Sequence, residues 1–314
     1  MTHRLAVVMD PIADINIKKD STFAMLLEAQ RRGYDVSYVE PEHLWIDAGV
    51  AYARAARVKV QDNPDHWYDL EPAERVRLGD FAIVLMRKDP PFDMEYVADT
   101  YVLDRAQEAG ALVVNHPAAL RNVNEKASIC AFPELTPATL VARDHAVLRE
   151  FVLKQGQAII KPLDGMGGHS IFLVAADDPN LNVVLETVGD HGKHLIMAQG
   201  YVQEITEGDK RILLVDGVAV PYALARIPAA DDFRGNLAKG GRGVAVPLSP
   251  ADKKIAEAVA DTLTAQGVLF AGLDVIGDRL TEINVTSPTC IRELDAAHGL
   301  NIAGQLFDCI EKRL

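Results

Sequence analysis

Lys161-Pro162-Leu163-Asp164-Gly165-Met166-Gly167-Gly168 reads as the end of a strand that runs into a glycine-rich loop, with a lysine at its lip. Three glycines in four positions let the backbone approach a phosphate closely, because glycine tolerates positive φ and has no side chain to clash. Taken alone, the same run reads equally well as a mobile turn in a β-hairpin. A Walker loop does not fit, since no Gly-Lys-Ser/Thr follows the glycines.

Further along, Thr281-Glu282-Ile283-Asn284-Val285-Thr286-Ser287-Pro288 supplies the complement. Val268 to Ile276 and Leu280 to Val285 read as two strands meeting at Gly277-Asp278-Arg279. A three-residue loop sets Ile276 against Leu280 and so Asp274 against Glu282. Asn284 shares the face of Glu282, since strand side chains alternate, while Ile283 and Val285 turn to the core. Like charges directly opposed destabilise a sheet, which calls for a cation between them. Hard oxygen ligands of this kind suit Mg²⁺, which takes few carboxylates and completes its shell with phosphate and water. A register slip of one residue would instead leave a solvated polar face. A phosphate cradle plus a divalent-cation site predicts ATP chemistry.

Other charged stretches admit two readings each. Arg234 to Gly243 holds four glycines and three cations in ten residues, which suits a lid over phosphate or a basic disordered loop. Arg87-Lys88-Asp89-Pro90-Pro91 follows a strand end, where ligands of open α/β sheets sit, or is a proline-initiated surface turn. Arg211 and Arg226 fall at opposite ends of a predicted hairpin and read as site residues or as surface charge. His191 and His194 read as an exposed turn, because further metal ligands are missing.

The remaining chain predicts alternating strands and helices. Leu5 to Met9, Val36 to Val39, Phe81 to Met86 and Leu112 to Val114 read as strands. Ser21 is the expected cap of a helix ending at Gly33, and Tyr96 to Ala109 reads as a second helix. Such alternation argues for a parallel sheet with crossover helices. Asp47 to Leu78 has weak periodicity and reads as loop and irregular helix. A second unit begins near Asn122, giving predicted domains 1–121 and 122–314. It contains strands near Thr139, over Gln157 to Lys161, over Ser170 to Val174 and over Leu195 to Gln199. Helices are expected over His145 to Lys154, Asn180 to Val188 and Pro250 to Gln266, and a hairpin around Asp216-Gly217.

Thirty-two Lys and Arg against 45 Asp and Glu leave a net charge of -13, which disfavours nucleic acid or an anionic membrane as partner. The three cysteines, Cys130, Cys290 and Cys309, form neither a metal spacing nor a disulfide framework. With no long apolar leader and no run of membrane-spanning length, the chain reads as globular and cytoplasmic.

Met9-Asp10-Pro11-Ile12, Ile15 to Ser21, Met86 to Asp93, the Asp164 loop and Glu282 to Thr289 together resemble the bacterial glutathione synthetase family of the ATP-grasp superfamily. The resemblance implies an α/β ATP-grasp fold, with an N-terminal parallel-sheet domain and a two-lobed ATP-binding unit. It implies ATP-dependent ligation of γ-L-glutamyl-L-cysteine to glycine, with Mg²⁺ or Mn²⁺, in a homo-oligomer. By the same resemblance Lys126, Lys161, Gly165, Met166, Gly167 and Gly168 surround the phosphates. Gln199, Gly200, Tyr201 and Val202 form the adenine hinge, and Asp209 meets the ribose. Asp274, Glu282 and Asn284 match metal ligands; Arg211, Arg234 and Lys161 match catalytic cations. Ile227 to Arg242 corresponds to the lid, and Arg87, Lys88, Arg226, Ser287 and Thr289 to substrate contacts. D-alanine ligases, the nearest alternative, usually carry an arginine where this chain has Gly272. A nucleotide-binding protein without catalysis is the other.

Overall fold

Residues 3–229, 235 and 242–314 are described by a computed structural model of the chain. The first sheet uses β1 (Arg4–Val8), β2 (Asp35–Val39), β3 (Leu44–Asp47), β4 (Val50–Val60), β5 (Tyr68–Leu70), β6 (Glu74–Arg77), β7 (Ile83–Met86) and β8 (Leu112–Val114). Its central strands β2, β1, β7 and β8 run parallel, and β1 is buried over most of its length. Period two divides that strand between two cores. Leu5 and Val7 pack with Phe23 and Leu26 of α1 (Ser21–Arg31), whereas Ala6 and Val8 pack with Tyr96 and Leu103 of α2 (Met94–Glu108). Helices therefore cover both faces, as a parallel sheet requires.

Two readings of this region need correction. Asp20, not Ser21, caps α1, its carboxylate accepting from Phe23 N. Ser21 Oγ instead accepts from Ile291 N at 3.1 Å, so the hydroxyl ties α1 to the far end of the chain. Asp47 to Leu78 is mainly antiparallel strand, with β3, β5 and β6 all pairing with β4. Alternation is present in β4, where Ala51, Ala53 and Ala55 are buried, but the phase breaks at Ala56 and then resumes at Val58 and Val60. Alanine contrasts weakly with its neighbours, and a mid-strand phase change halves the length over which a period can be read.

A four-stranded antiparallel sheet follows, in the order β11 (Phe172–Ala175), β10 (Gln157–Pro162), β12 (Ile196–Gly200), β9 (Thr139–Ala142). Helices α4 (His145–Gln155) and α5 (Leu181–Val188) bury Leu148, Val152, Leu181 and Leu185 against it; the short α3 (Pro117–Asn122) precedes this unit. The five-stranded sheet orders β15 (Arg242–Pro247), β14 (Val218–Ile227), β13 (Asp209–Val215), β16 (Phe270–Ile276) and β17 (Arg279–Asn284). Asp216 and Gly217, both with positive φ, turn β13 into β14 as the Asp-Gly signal predicts.

Helix α6 (Pro250–Ala265) starts with a capping box between Ser249 and Asp252 and lays Ile255, Val259 and Leu263 on one face of the five-stranded sheet. Burial of such side chains contributes about 1.5–3 kcal/mol each. Ile212, Leu214, Leu273, Val275 and Ile283 meet that helix. Alternation then sends Arg211, Asp274, Glu282 and Asn284 to the opposite face. The last helices, α7 (Ile291–His298) and α8 (Ile302–Glu311), pack beside α1 and join the first core. Buried Asn115, just after β8, uses its whole amide as a rivet: it donates to Phe270 O and Val285 O and accepts from Leu269 N and Phe270 N. Among the described residues, no helix is long and apolar enough to cross a membrane.

Candidate active site

The polar face of the five-stranded sheet looks into a cleft of about 350 Å³, bounded opposite by β10, β12 and the glycine loop. Asp274 does oppose Glu282, but by a different route from the one expected. The turn is two residues long, so Ile276 faces Arg279, and a bulge at Thr281 restores the Asp274–Glu282 pairing. Thr281 Oγ1 donates to Asp274 O across the bulge.

Each carboxylate has cations of its own. Asp274 takes Arg211 Nη2 at 3.0 Å and Arg226 Nη2 at 2.9 Å. The two arginines are not at opposite ends of their hairpin; both lie toward its open end, away from Asp216-Gly217, and converge on one oxygen pair. Burial pushes the Asp274 carboxyl up, but both guanidinium groups outweigh it and hold it below the usual range. Glu282 takes Lys161 Nζ at 3.2 Å and Lys126 Nζ at 4.0 Å. Burial again opposes ionisation there, and the two ammonium groups again prevail. Asn284 donates through Nδ2 to Gly272 O, leaving its Oδ1 as an acceptor on the same face. Among the described residues, no group of three His, Cys, Asp or Glu forms a cation cage; two carboxylates and an amide are what converge.

Gly272 matters through space. A Cβ there would meet Arg211 Cδ at 2.8 Å and Pro288 Cβ at 3.0 Å, so any side chain at this position displaces Arg211. In the glycine loop conformation decides instead, since Gly167 and Gly168 have φ of +62° and +76°. Lys126 Nζ donates to Gly165 O at 2.6 Å and Phe92 N to Asp164 O at 3.4 Å, which tether the loop.

Gln199, Gly200, Tyr201 and Val202 line the cleft where β12 ends. Gly200 N and Tyr201 N donate to Ala138 O and Gln157 O, whereas Val202 N has no backbone acceptor among the described residues. Asp209 gives one carboxylate oxygen to Arg226, while its buried Oδ1 has no hydrogen-bond partner among the described residues. Burial, partly offset by Arg226, raises this carboxyl to about 6.

Lys126, Lys161, Gly165 to Gly168, Asp209, Arg211, Arg226, Ser287 and Thr289 thus meet in one cleft with Asp274, Glu282 and Asn284. Arg87 and Lys88 do not line it. Buried Arg87 donates to Thr22 Oγ1 at 3.0 Å and to Pro288 O at 2.9 Å, supporting the 286–289 loop from behind. Lys88 Nζ donates to Asp89 O and lies 5.4 Å from the Tyr96 ring centre. Arg234 and most of the 227–242 segment lie outside the described residues. His191 and His194 are exposed in a turn, as expected.

Sequence reasoning missed Glu125. Its Oε1 accepts from Val285 N at 2.9 Å, Thr286 N at 3.0 Å and Thr286 Oγ1 at 2.8 Å. Asn124 beside it donates to Leu163 O, at the root of the glycine loop. The tripeptide Asn124-Glu125-Lys126 therefore clasps the glycine loop to the loop after β17. No local pattern marks it, because every partner is distant in sequence.

Family profiles and relatives match the chain over nearly its whole length. The prokaryotic glutathione synthetase N-terminal domain matches residues 3–121, and the ATP-grasp domain of the same family matches residues 125–299. The chain is 56% identical to the glutathione synthetase of Vibrio cholerae over 99% of its own length and 98% of that protein's. Against the enzyme of Pseudomonas syringae pv. tomato the figures are 57%, 100% and 98%. Among solved structures, the D-cycloserine synthetase DcsG superposes with a TM-score of 0.68 at 15% identity, covering 98% of this chain and 99% of that one. The ATP-grasp ligase PsnB, complexed with a minimal precursor, gives 0.64 at 19% identity, covering 100% and 99%. These two similarities establish the ATP-grasp fold, and the profiles and close relatives establish that the chain belongs to the prokaryotic glutathione synthetase family.

Proposed function

We propose that this chain joins γ-L-glutamyl-L-cysteine to glycine with ATP, giving glutathione, ADP and phosphate. The observation that carries the reading is one cleft in which a glycine loop, two lysines, two arginines and two opposed carboxylates meet, in a chain of this family. A carboxylate is a poor electrophile, so it first takes the γ-phosphoryl group as an acyl phosphate. The glycine amine then attacks that carbonyl and expels phosphate. Such chemistry asks for positioning and charge neutralisation more than for a protein nucleophile.

Within this reading Lys126, Lys161 and the backbone of Gly165 to Gly168 bind the phosphates. The hinge from Gln199 to Val202 receives adenine, and the unpaired Asp209 Oδ1 accepts from a ribose hydroxyl. Arg211 steadies the acyl phosphate, with Arg226, Ser287 and Thr289 at the substrates. Asp274, Glu282 and Asn284 fit Mg²⁺, since their donor set is hard oxygen with few carboxylates. The ion, when bound, neutralises charge on the phosphate oxygens. Arg211 and Arg226, which both pair with Asp274 here, would share that carboxylate with the ion and could then turn guanidinium donors to substrate. Residues 1–121 supply the substrate side and 122–314 the nucleotide side, in a cytoplasmic homo-oligomer.

Mass spectrometry of the product from ATP, Mg²⁺, γ-glutamylcysteine and glycine tests the activity; ADP release without a glutathione mass would overturn it. Light scattering tests the oligomer. A D-alanine-type ligase is disfavoured by Gly272, where a long side chain would collide with Arg211.

A further inference from the structure

The Arg87-Lys88-Asp89 run pointed to cations for a substrate carboxylate, yet the structure turns the third residue, not the first two, toward the cleft. Asp89 lines it beside Pro90, facing the loop that carries Ser287 and Thr289. Its backbone is fixed: Asp89 N donates to Asp10 Oδ2 at 2.7 Å. Ser287 lines the cleft with it and favours the charged form of its carboxylate. No Lys, Arg or His among the described residues lies within ion-pair distance of that carboxylate, because Arg87 is committed to Thr22 and Pro288 and Lys88 to a carbonyl. Asp10, next to it, bears the same charge. A largely buried carboxylate beside another and without an ion-paired cation is costly; burial raises its pKa and Asp10 adds to the rise, which outweighs the opposing pull of Ser287 and of the more distant Arg87 and Lys88.

We propose that Asp89, held by Asp10 and flanked by Ser287, is the specificity residue that binds the α-ammonium of the γ-glutamyl group. The assignment rests on the proposed ligation and identifies its recognition step. Of the reactants, ATP carries no cation and glycine must offer a neutral amine to react, so the dipeptide ammonium is the charge that matches. Discrimination follows from the cost of leaving a buried charge unpaired when the ammonium is missing.

The test compares γ-glutamylcysteine with glutaryl-cysteine, which differs by loss of the amino group, in the unaltered chain and in Asp89→Asn. The unaltered chain should prefer the amino substrate by about 10- to 100-fold in kcat/KM. Asp89→Asn should reduce that preference to about threefold or less through KM for the dipeptide, with KM for ATP and glycine little changed. Ser287→Ala should give an intermediate preference. An unaltered chain that uses both dipeptides equally overturns the assignment without any variant. So does a preference that survives in Asp89→Asn, or an Asp89→Asn defect that appears in KM for glycine. Absence of glutathione synthesis by the unaltered chain would be a different result, refuting the ligation itself.

Discussion

The four-stranded and five-stranded sheets line the same cleft but bring different chemistry to it. From the four-stranded side come the backbone of Gly165 to Gly168, the strand end at Gln199 to Val202, and one reaching lysine, Lys161. From the five-stranded side come Asp209, Arg211, Arg226, Asp274, Glu282 and Asn284, all on strands whose reverse face is sealed by α6. One wall offers peptide groups on a loop tethered by Lys126 and Phe92. The other offers charges preorganised by buried ion pairs. Charges that stabilise a transition state act best from rigid elements, whereas a phosphate cradle needs only a backbone able to adopt the right φ.

The largest way to break this contrast is Glu282→Gln, which keeps shape and removes the charge shared by Lys126, Lys161 and the proposed metal. Turnover should fall by about 10³-fold, with a native circular-dichroism spectrum; near-normal kcat would refute the metal assignment. Gly272→Ala probes the rigid wall by steric means. Displacing Arg211 at an overpacking cost of about 1–3 kcal/mol should lower kcat about 10- to 100-fold, with a smaller change in KM for ATP. If kcat is retained, Arg211 need not sit where it does. Glu125→Ala should loosen the clasp and raise KM for the dipeptide or glycine about tenfold. Glu125→Gln, which retains an acceptor oxygen, should restore most of it. Steady-state kinetics with each substrate varied in turn would read both, and an equal loss in the two variants would assign Glu125 to charge, not positioning.

The smallest effect concerns Asp209. Its carboxyl is raised from 3.8 to about 6, so between those values the folded chain binds more protons than the unfolded one. Stability from this group is therefore greatest at the acid end and declines as pH rises from about 4 to about 6. Asp209→Asn should flatten that part of the profile, seen as a smaller difference in Tm between pH 4 and pH 6. A profile unchanged in Asp209→Asn would show that Asp209 titrates normally.

Much of the cleft was legible because its parts are local. Asp274 and Glu282 are opposed across a short hairpin, and a shorter turn compensated by a bulge left that pairing intact. The glycine loop follows its strand directly. Legibility failed in β4, where alanines and a phase break hid the alternation, and at Ser21, whose hydroxyl serves α7 and not its own helix.

The amino-acid sequence by itself determined the alternating strands and helices, the opposed carboxylates and the glycine-rich loop, since period, turn chemistry and glycine content act over a few residues. Tertiary structure alone decided which cation meets which carboxylate. Arg211 and Asp274 are 63 residues apart, Lys161 and Glu282 are 121, and Arg87 reaches a carbonyl 201 residues away. A contact across such distances depends on how sheets stack and which faces their helices cover, and no local rule of spacing encodes that.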